Sequence, residues 1–372
     1  MSVKQNQRRR DFGTGSISRR GFLTQTAALS AAALAAGTFR VPKARAKDLT
    51  HVRMIWDYSP NTMDIFYVAA EEQGFFREEG IEIEHILPQD FESATIMTGA
   101  GKAEFGVTYG QILPSAVALE DMPLISVAEI QPFLPLGVQT PDQSCQDPSC
   151  FKGKKCGILN VDLERECFKR MLQAVGLTVN DVDLVDPGMA IVQPLVTGDL
   201  YAATATPMFE QEQVKRLSGG IVTKLFFYAD YGSPRFNFCM IANRDYAEKN
   251  PEITKGWVKA MHRGLQWSLD NKKEAVQMWT KRFPEFEFDI EMLTWSIMEM
   301  TWVIPGVTKE KGLGWNTGDN WQAWADLMYE AKLIPEKLDA TRFWTNDYLP
   351  KDKYLPRDVD AYLAAQAKVR AS

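Results

Sequence analysis

Residues 55–80 read IWDYSPNTMDIFYVAAEEQGFFREEG, and this stretch decides the fold. Arg53 to Trp56 is short and partly β-branched, as a first strand should be. Ser59-Pro60-Asn61 is turn chemistry, and Asn61 is a good helix N-cap. Asp64 in the first turn suits the positive end of a helix. Ile65, Phe66, Ala69 and Ala70 then fall on one helical face, with Glu71, Glu72 and Gln73 outside it. Gly74 is where a left-handed residue would end the helix. Phe75 and Phe76 lead through Gly80-Ile-Glu-Ile into a second strand of alternating character. Strand, helix and strand in this order predict a parallel α/β unit.

The same alternation continues outward. Strands are expected at Gly80–Ile86, Ala103–Thr108 and Leu124–Glu129, separated by short helices that begin near Ser93 and after Tyr109-Gly110-Gln111. Residues 139–152 are irregular. The pattern then restarts with strands at Lys154–Leu159, Val182–Val185 and Leu200–Thr204. Asn160 and Asp162 are placed to cap the helix between the first two. Lys224–Ala229 and Phe236–Ile241 are further apolar strands, and the remainder is helical and rich in tryptophan. A second sheet beginning near residue 153 implies a second lobe.

The N-terminus carries targeting signals. Arg8-Arg9-Arg10 and Arg19-Arg20 precede an apolar run from Ala27 to Ala36, and Ser18-Arg19-Arg20-Gly21-Phe22-Leu23 has the form of a twin-arginine signal. Ala44-Arg45-Ala46 is a cleavage pattern, so a signal peptide over residues 1–46 and a mature start at Lys47 are expected. The first 46 residues hold +8 of charge, so a whole-chain charge of −6 leaves −14 for the rest. That balance argues against nucleic-acid and anionic-membrane partners. Five cysteines are scattered. Cys145 and Cys150, in a polar loop, are placed to close a small disulfide ring; Cys156, Cys167 and Cys239 read as buried thiols. Their spacing matches no zinc pattern, the three histidines lie apart, and neither a metal nor a cofactor is expected.

Trp56-x-x-x-Pro60-Asn61-Thr62 followed by Ala70-x-Glu72-x-Gly74-Phe75-Phe76-x-Glu78-Glu79-Gly80 resembles the opening of the thiamine-pyrimidine-synthase-like and sulfonate-binding-like periplasmic solute receptors of ABC transporters. Phe151-Lys-Gly-Lys-Lys-Cys-Gly157, Asn250-Pro251-Glu252 and Phe343-Trp-Thr-Asn-Asp-Tyr-Leu-Pro350 resemble later phrases of the same family. The resemblance implies a type II periplasmic-binding-protein fold: two α/β lobes joined by a hinge, with a ligand cleft between them. Residues 47–138 and 238–372 would form lobe 1, and 139–237 lobe 2. It also implies a monomer, a small-molecule solute and a permease as partner.

Open α/β sheets bind ligands beyond the carboxyl ends of their strands. Trp56, Asp57, Tyr58, Asn61, Ser93 and Tyr109 are the candidates from the first lobe. Two aromatics and two polar groups after the first strand suit a small planar molecule; a core tryptophan, a capping asparagine and a solvated aspartate are the plainer alternative. Asn160, Asp162, Thr206 and Glu210 are the candidates from the second lobe. Thr206 is expected to cap a helix that starts at Pro207. Glu210 resembles the acidic position of the pyrimidine-binding branch, against the plainer reading of a solvated helix carboxylate. Tyr231, Asn237 and Phe238 fall near the crossing between lobes. This set favours an aminopyrimidine, a flavin-like ring or another planar or cationic solute over sulfonate, taurine or nitrate, which need aimed cations. The family's enzyme branch carries a run resembling Cys-Cys-Cys-Phe-Cys, and no such run exists here.

Overall fold

The first strand forms near its expected place at Arg53–Trp56, but begins three residues earlier and ends before Trp56. In the computed structural model, which describes residues 49–90, 92–188 and 190–371, β1 spans Thr50–Ile55, and Val52, Met54 and Ile55 are its buried residues. The export signal expected over residues 1–46, with cleavage before Lys47, lies outside the described residues. Asn61 caps as its sequence context requires. Its Oδ1 accepts from the Met63 N–H at 2.9 Å, and Asp64 Oδ2 accepts from the Asn61 N–H at 2.9 Å, which together make a capping box. The helix Ile65–Glu72 follows, and Gly74 beyond it is left-handed at φ 77°. β2 is Ile81–Ile86, parallel to β1 with Thr50 opposite Ile81.

β3 (Phe105–Tyr109) lies on the other side of β1, and β4 (Leu124–Leu134) closes the sheet. The chain then passes after two residues into β5 (Gly137–Thr140), which belongs to a second sheet. That sheet also holds β6 (Lys155–Gly157), β7 (Asp183–Val185), β8 (Ala202–Ala205) and β9 (Lys224–Phe227), in the order β7-β6-β8-β5-β9. β10 (Phe236–Asn243) returns to the first sheet, between β3 and β4 and antiparallel to both, giving β2-β1-β3-β10-β4. The two crossings touch: the Tyr228 N–H donates to the Leu136 carbonyl at 3.1 Å. Here Gly137 is required by close approach, because a Cβ at that position would lie 2.0 Å from the Phe226 carbonyl oxygen.

β4 runs five residues beyond its expected end at Glu129. A charged residue, a glutamine and Pro132 read as a strand end in sequence. In the fold, Glu129 and Gln131 are buried and find distant partners, so the strand continues. The Asn237 Nδ2 donates to Glu129 Oε1 at 2.6 Å, and the Gln131 Nε2 donates to Thr301 Oγ1 at 2.6 Å. Register shifts between β10 and β4 accommodate Pro132.

Helices from the C-terminal half cover the first sheet. Pro251–Asp270 packs on Ile65–Glu72, and Trp257 stacks on Phe105 at 4.2 Å and 5°. Trp279, Trp295, Trp302, Trp321 and Trp324 are all buried. In the second sheet's loops, the sulfurs of Cys145 and Cys150 are bonded; Cys156, Cys167 and Cys239 are free and buried. No described helix is long and apolar enough to cross a membrane.

Candidate functional site

At the carboxyl end of β1 the chain places an aromatic and an acid side by side, and the fold treats both as interior residues. Trp56 is 1% exposed. Its indole N–H donates to His85 Nδ1 at 2.9 Å. Its ring packs edge-on against Tyr67 at 5.2 Å and against Phe283 at 6.0 Å, and lies over Trp279 at 6.3 Å. Trp56 therefore supports the site from beneath, and the stacking surface expected of it is taken up by core packing. His85 has no obvious partner in sequence. In the fold it orients Trp56, with its Nε2 3.4 Å from Glu71.

Asp57 is 2% exposed; its own backbone N–H, that of Tyr58 and the Asp64 carboxyl lean toward its oxygens, and none makes a well-aligned hydrogen bond. It adjoins Asp64, itself fully buried, with the Tyr67 hydroxyl beside the pair. Loss of water pushes the Asp57 carboxyl up to about 6. Burial, and then the charge of Asp57, push Asp64 well above the carboxylate range. Two carboxyls this close hold a proton between them more readily than they hold two charges. Asp57 lines a cavity with Met63, Tyr67, Gln131, Phe238 and Trp302 that offers about 10 Å³ to the centre of a water molecule, room for about one. A larger hollow of about 240 Å³, by Glu104, Tyr246 and Lys249, lies at the other end of the sheet, away from the carboxyl ends of its parallel strands.

The remaining first-lobe candidates divide. Tyr109 is half-buried, with its ring against Phe238 at 4.1 Å. Burial raises its hydroxyl, and the charges of Asp57, Glu210 and Asp64 raise it further. Tyr109 thus stands within electrostatic reach of acids from both sheets. Tyr58 is half-buried beside Asp57 and acts on the same hydroxyl. Asn61 is spent on its own turn, its Nδ2 donating to the Ser59 carbonyl at 3.1 Å and to Asp64 at 3.2 Å. The Ser93 hydroxyl donates to Asp90 Oδ1 at 2.7 Å.

In the second sheet two expected caps are absent. The helix Asp162–Ala174 starts after Val161 without a side-chain cap, and Asn160 and Asp162 are exposed. A shift of one residue explains this: Asp162 is already the first helical residue, and Asn160 lies outside the capping position. The capping expected of Thr206 is reversed. A π-helical turn at Pro207–Gln211 brings Glu210 back over Thr206, whose N–H and Oγ1 donate to Glu210 Oε2 at 2.8 and 2.9 Å. Tyr231 is half-buried in the second crossing, near Phe226. Asn237 is fully buried and held by Glu129. It braces β10 against β4, so its expected hinge or ligand contact becomes an interior bond.

Glu164 went unnoticed in the sequence. It is 5% exposed and accepts from Thr204 Oγ1 at 2.5 Å and from the Tyr228 hydroxyl at 3.1 Å; burial pushes it up to about 7. Its signal is the i+2 position after Asp162, on the face that carries Phe168, Met171 and Leu172.

Comparison with known proteins places this geometry. The model of the family described as NMT1/THI5 like matches residues 61–275, more than half of the chain. A formylaminopyrimidine-binding protein from Halalkalibacterium halodurans is 24% identical over 65% of this chain and 73% of its own length. The riboflavin-binding protein RibY from Chloroflexus aurantiacus is 24% identical over 82% and 88%. A 4-amino-5-hydroxymethyl-2-methylpyrimidine phosphate synthase from Legionella pneumophila is 20% identical over 82% and 94%. The structure of the periplasmic aliphatic sulphonate binding protein SsuA from Escherichia coli superposes with a TM-score of 0.63 at 17% identity, covering 80% of this chain and 98% of that one. The shared architecture is the periplasmic-binding-protein fold that the sheet orders describe, and the chain belongs to the NMT1/THI5-like family.

Proposed function

We propose that this protein is an extracytoplasmic solute receptor that captures a small planar molecule, a thiamine-pyrimidine precursor or similar heterocycle, and delivers it to the permease of an ABC importer. One observation carries the reading. Tyr109, at the carboxyl end of β3, is within electrostatic reach both of Asp57 in the first sheet and of Glu210 in the second. A ligand there touches both lobes. The lobes are residues 47–138 with 238–372, and residues 139–237, and the two crossing segments form the hinge. Ligand favours closure by the amount it prefers the closed form, and closure presents the face that docks the permease. The protein works as a monomer in the periplasm, exported by the twin-arginine route. The relatives named for formylaminopyrimidine and riboflavin support a planar solute.

Arg235 favours a second reading. Its Nε and Nη2 are buried without hydrogen-bond partners at the second crossing, as an anion receptor would want, although its charge also reaches Glu129. The synthase relative favours a third, a pyrimidine-forming enzyme, which the scattered cysteines oppose. A thermal-shift panel separates them. Aminopyrimidines, riboflavin, simple aromatic acids, sulfonates, taurine and nitrate are added to the purified chain. A planar heterocycle at 100-fold over its Kd should add about 2.7 kcal/mol. For a chain this long that is roughly 5 °C. The shift should be lost in Glu210→Ala. A response only to sulfonates or nitrate keeps the receptor and moves the ligand to Arg235. Silence throughout sinks the receptor reading for every solute tested.

A further inference from the structure

Asp57 is the buried side chain whose needs the chain leaves unmet. It is 2% exposed, and beyond the backbone N–H groups of its own turn at Asp57 and Tyr58 and the proton it shares with Asp64, neither carboxylate oxygen meets a donor from another side chain. The largest influences on it and on Asp64 are burial, each other and nearby hydrogen bonds, with no lysine or arginine among them. Buried polar groups in native proteins are almost always partnered, and a buried charge without a partner is costly. Asp57 faces the small cavity whose walls are the rings of Tyr67, Phe238 and Trp302 with Met63. Aromatic walls receive a cation well. The space holds one donor group, such as an amine or ring N–H edge, and not a whole ring. A ring bearing that edge would rest outward, toward the half-buried Tyr58 and Tyr109.

We infer that the solute is bound as a cation: a planar nitrogen heterocycle whose protonated edge donates to the Asp57–Asp64 pair. The inference rests on the receptor reading above and deepens it. Charge, hydrogen bonds and apolar walls then act on one end of the ligand. Glu210 and Tyr109 remain for the other end. A neutral ring of the same outline would leave the aspartate pair unmatched and bind more weakly.

The test uses the purified full chain and three planar probes of similar outline, with binding read by calorimetry at neutral pH. 4-Aminopyridine is a cation there, aniline is neutral and benzoate is an anion. 4-Aminopyridine should bind at least about tenfold more tightly than aniline, and benzoate should not bind. Asp57→Asn should bring the ratio between the first two to near one, and Asp64→Asn should reduce it. Two variants guard against a single misfolded one, and each ratio is internal to one protein. Equal affinity for 4-aminopyridine and aniline overturns the cation, while the planar receptor stands. Preference for benzoate overturns it in favour of an anion site. Failure of all three probes, in a protein that a panel heterocycle stabilises, overturns the cation reading alone. Failure of the probes and of the panel overturns the receptor with it.

Discussion

Asp57 and Glu164 are both buried acids, one two residues past β1 and the other in the first turn of the helix after β6, and their surroundings treat them in opposite ways. Glu164 receives two hydroxyl donors, Thr204 and Tyr228, within its own lobe and crossing. Asp57 receives no hydroxyl, only the backbone N–H groups of its own turn, and shares its space with a second acid. The first arrangement is self-sufficient: the carboxyl ties a strand, a helix and the second crossing together. The second is incomplete within the chain. A satisfied buried acid holds a fold, and an unsatisfied one is costly to the fold unless a ligand completes it.

Substitution should separate the two most sharply. Glu164→Ala removes the acceptor of two buried hydroxyls and leaves a gap, and should cost about 3 kcal/mol in urea unfolding. Asp57→Asn should cost nothing in the ligand-free protein, and should add up to about 1 kcal/mol, because an amide at 57 can donate to Asp64. Equal losses in both variants would show that Asp57 is as structural as Glu164.

pH should treat the two acids alike. Asp57 titrates near 6, and Glu164 and Glu129 near 7, all above the ordinary carboxylate values of 3.8 and 4.5. The folded chain therefore holds more protons than the unfolded chain between those limits. The stability these groups contribute is complete below about pH 4 and falls as pH rises through 6 and 7. The urea midpoint of the ligand-free protein should be higher at pH 5 than at pH 8, by several kcal/mol of stability if all three groups act independently. Asp57→Asn should flatten the lower part of that slope and Glu164→Gln the upper part. A midpoint that rises with pH would contradict both assignments.

The smallest effect tests the floor under Asp57. His85→Leu leaves the buried Trp56 N–H without an acceptor and should cost about 1–2 kcal/mol. It should also red-shift or quench tryptophan emission in the ligand-free protein, as the Trp56 environment changes. Glu71→Gln, whose carboxylate faces the outer nitrogen of His85 and also pairs with the Arg282 guanidinium near the surface, should cost less than His85→Leu.

Much of the scaffold was legible because it is local. Pro60, Asn61 and Asp64 lie within five residues and make their turn from their own side chains. Gly74 ends its helix because only glycine enters the left-handed region without strain. The restart of alternation after residue 153 announced a second sheet. The site was less legible. Tyr58, Tyr109 and Glu210 read as a site from strand-end position and aromatic or acidic chemistry, and the fold gathers their electrostatics at Tyr109. Trp56 read equally as ligand platform or core, and a partner 29 residues away, His85, makes it core.

Local signals were enough to place the helix start and stop in the first α/β unit, the existence of two sheets, and the phrases of a receptor family. Those depend on backbone preferences and side chains within a few residues of one another. Long-range packing settled that β4 continues through Gln131, that Asn237 binds Glu129 from 108 residues away, and that Thr62 meets Glu291 from 229. It alone left Asp57 buried with a second acid and no hydroxyl or cation donating to it. Burial and partnership are properties of the packed chain, and no periodicity or local preference records which polar group will be enclosed or what will face it.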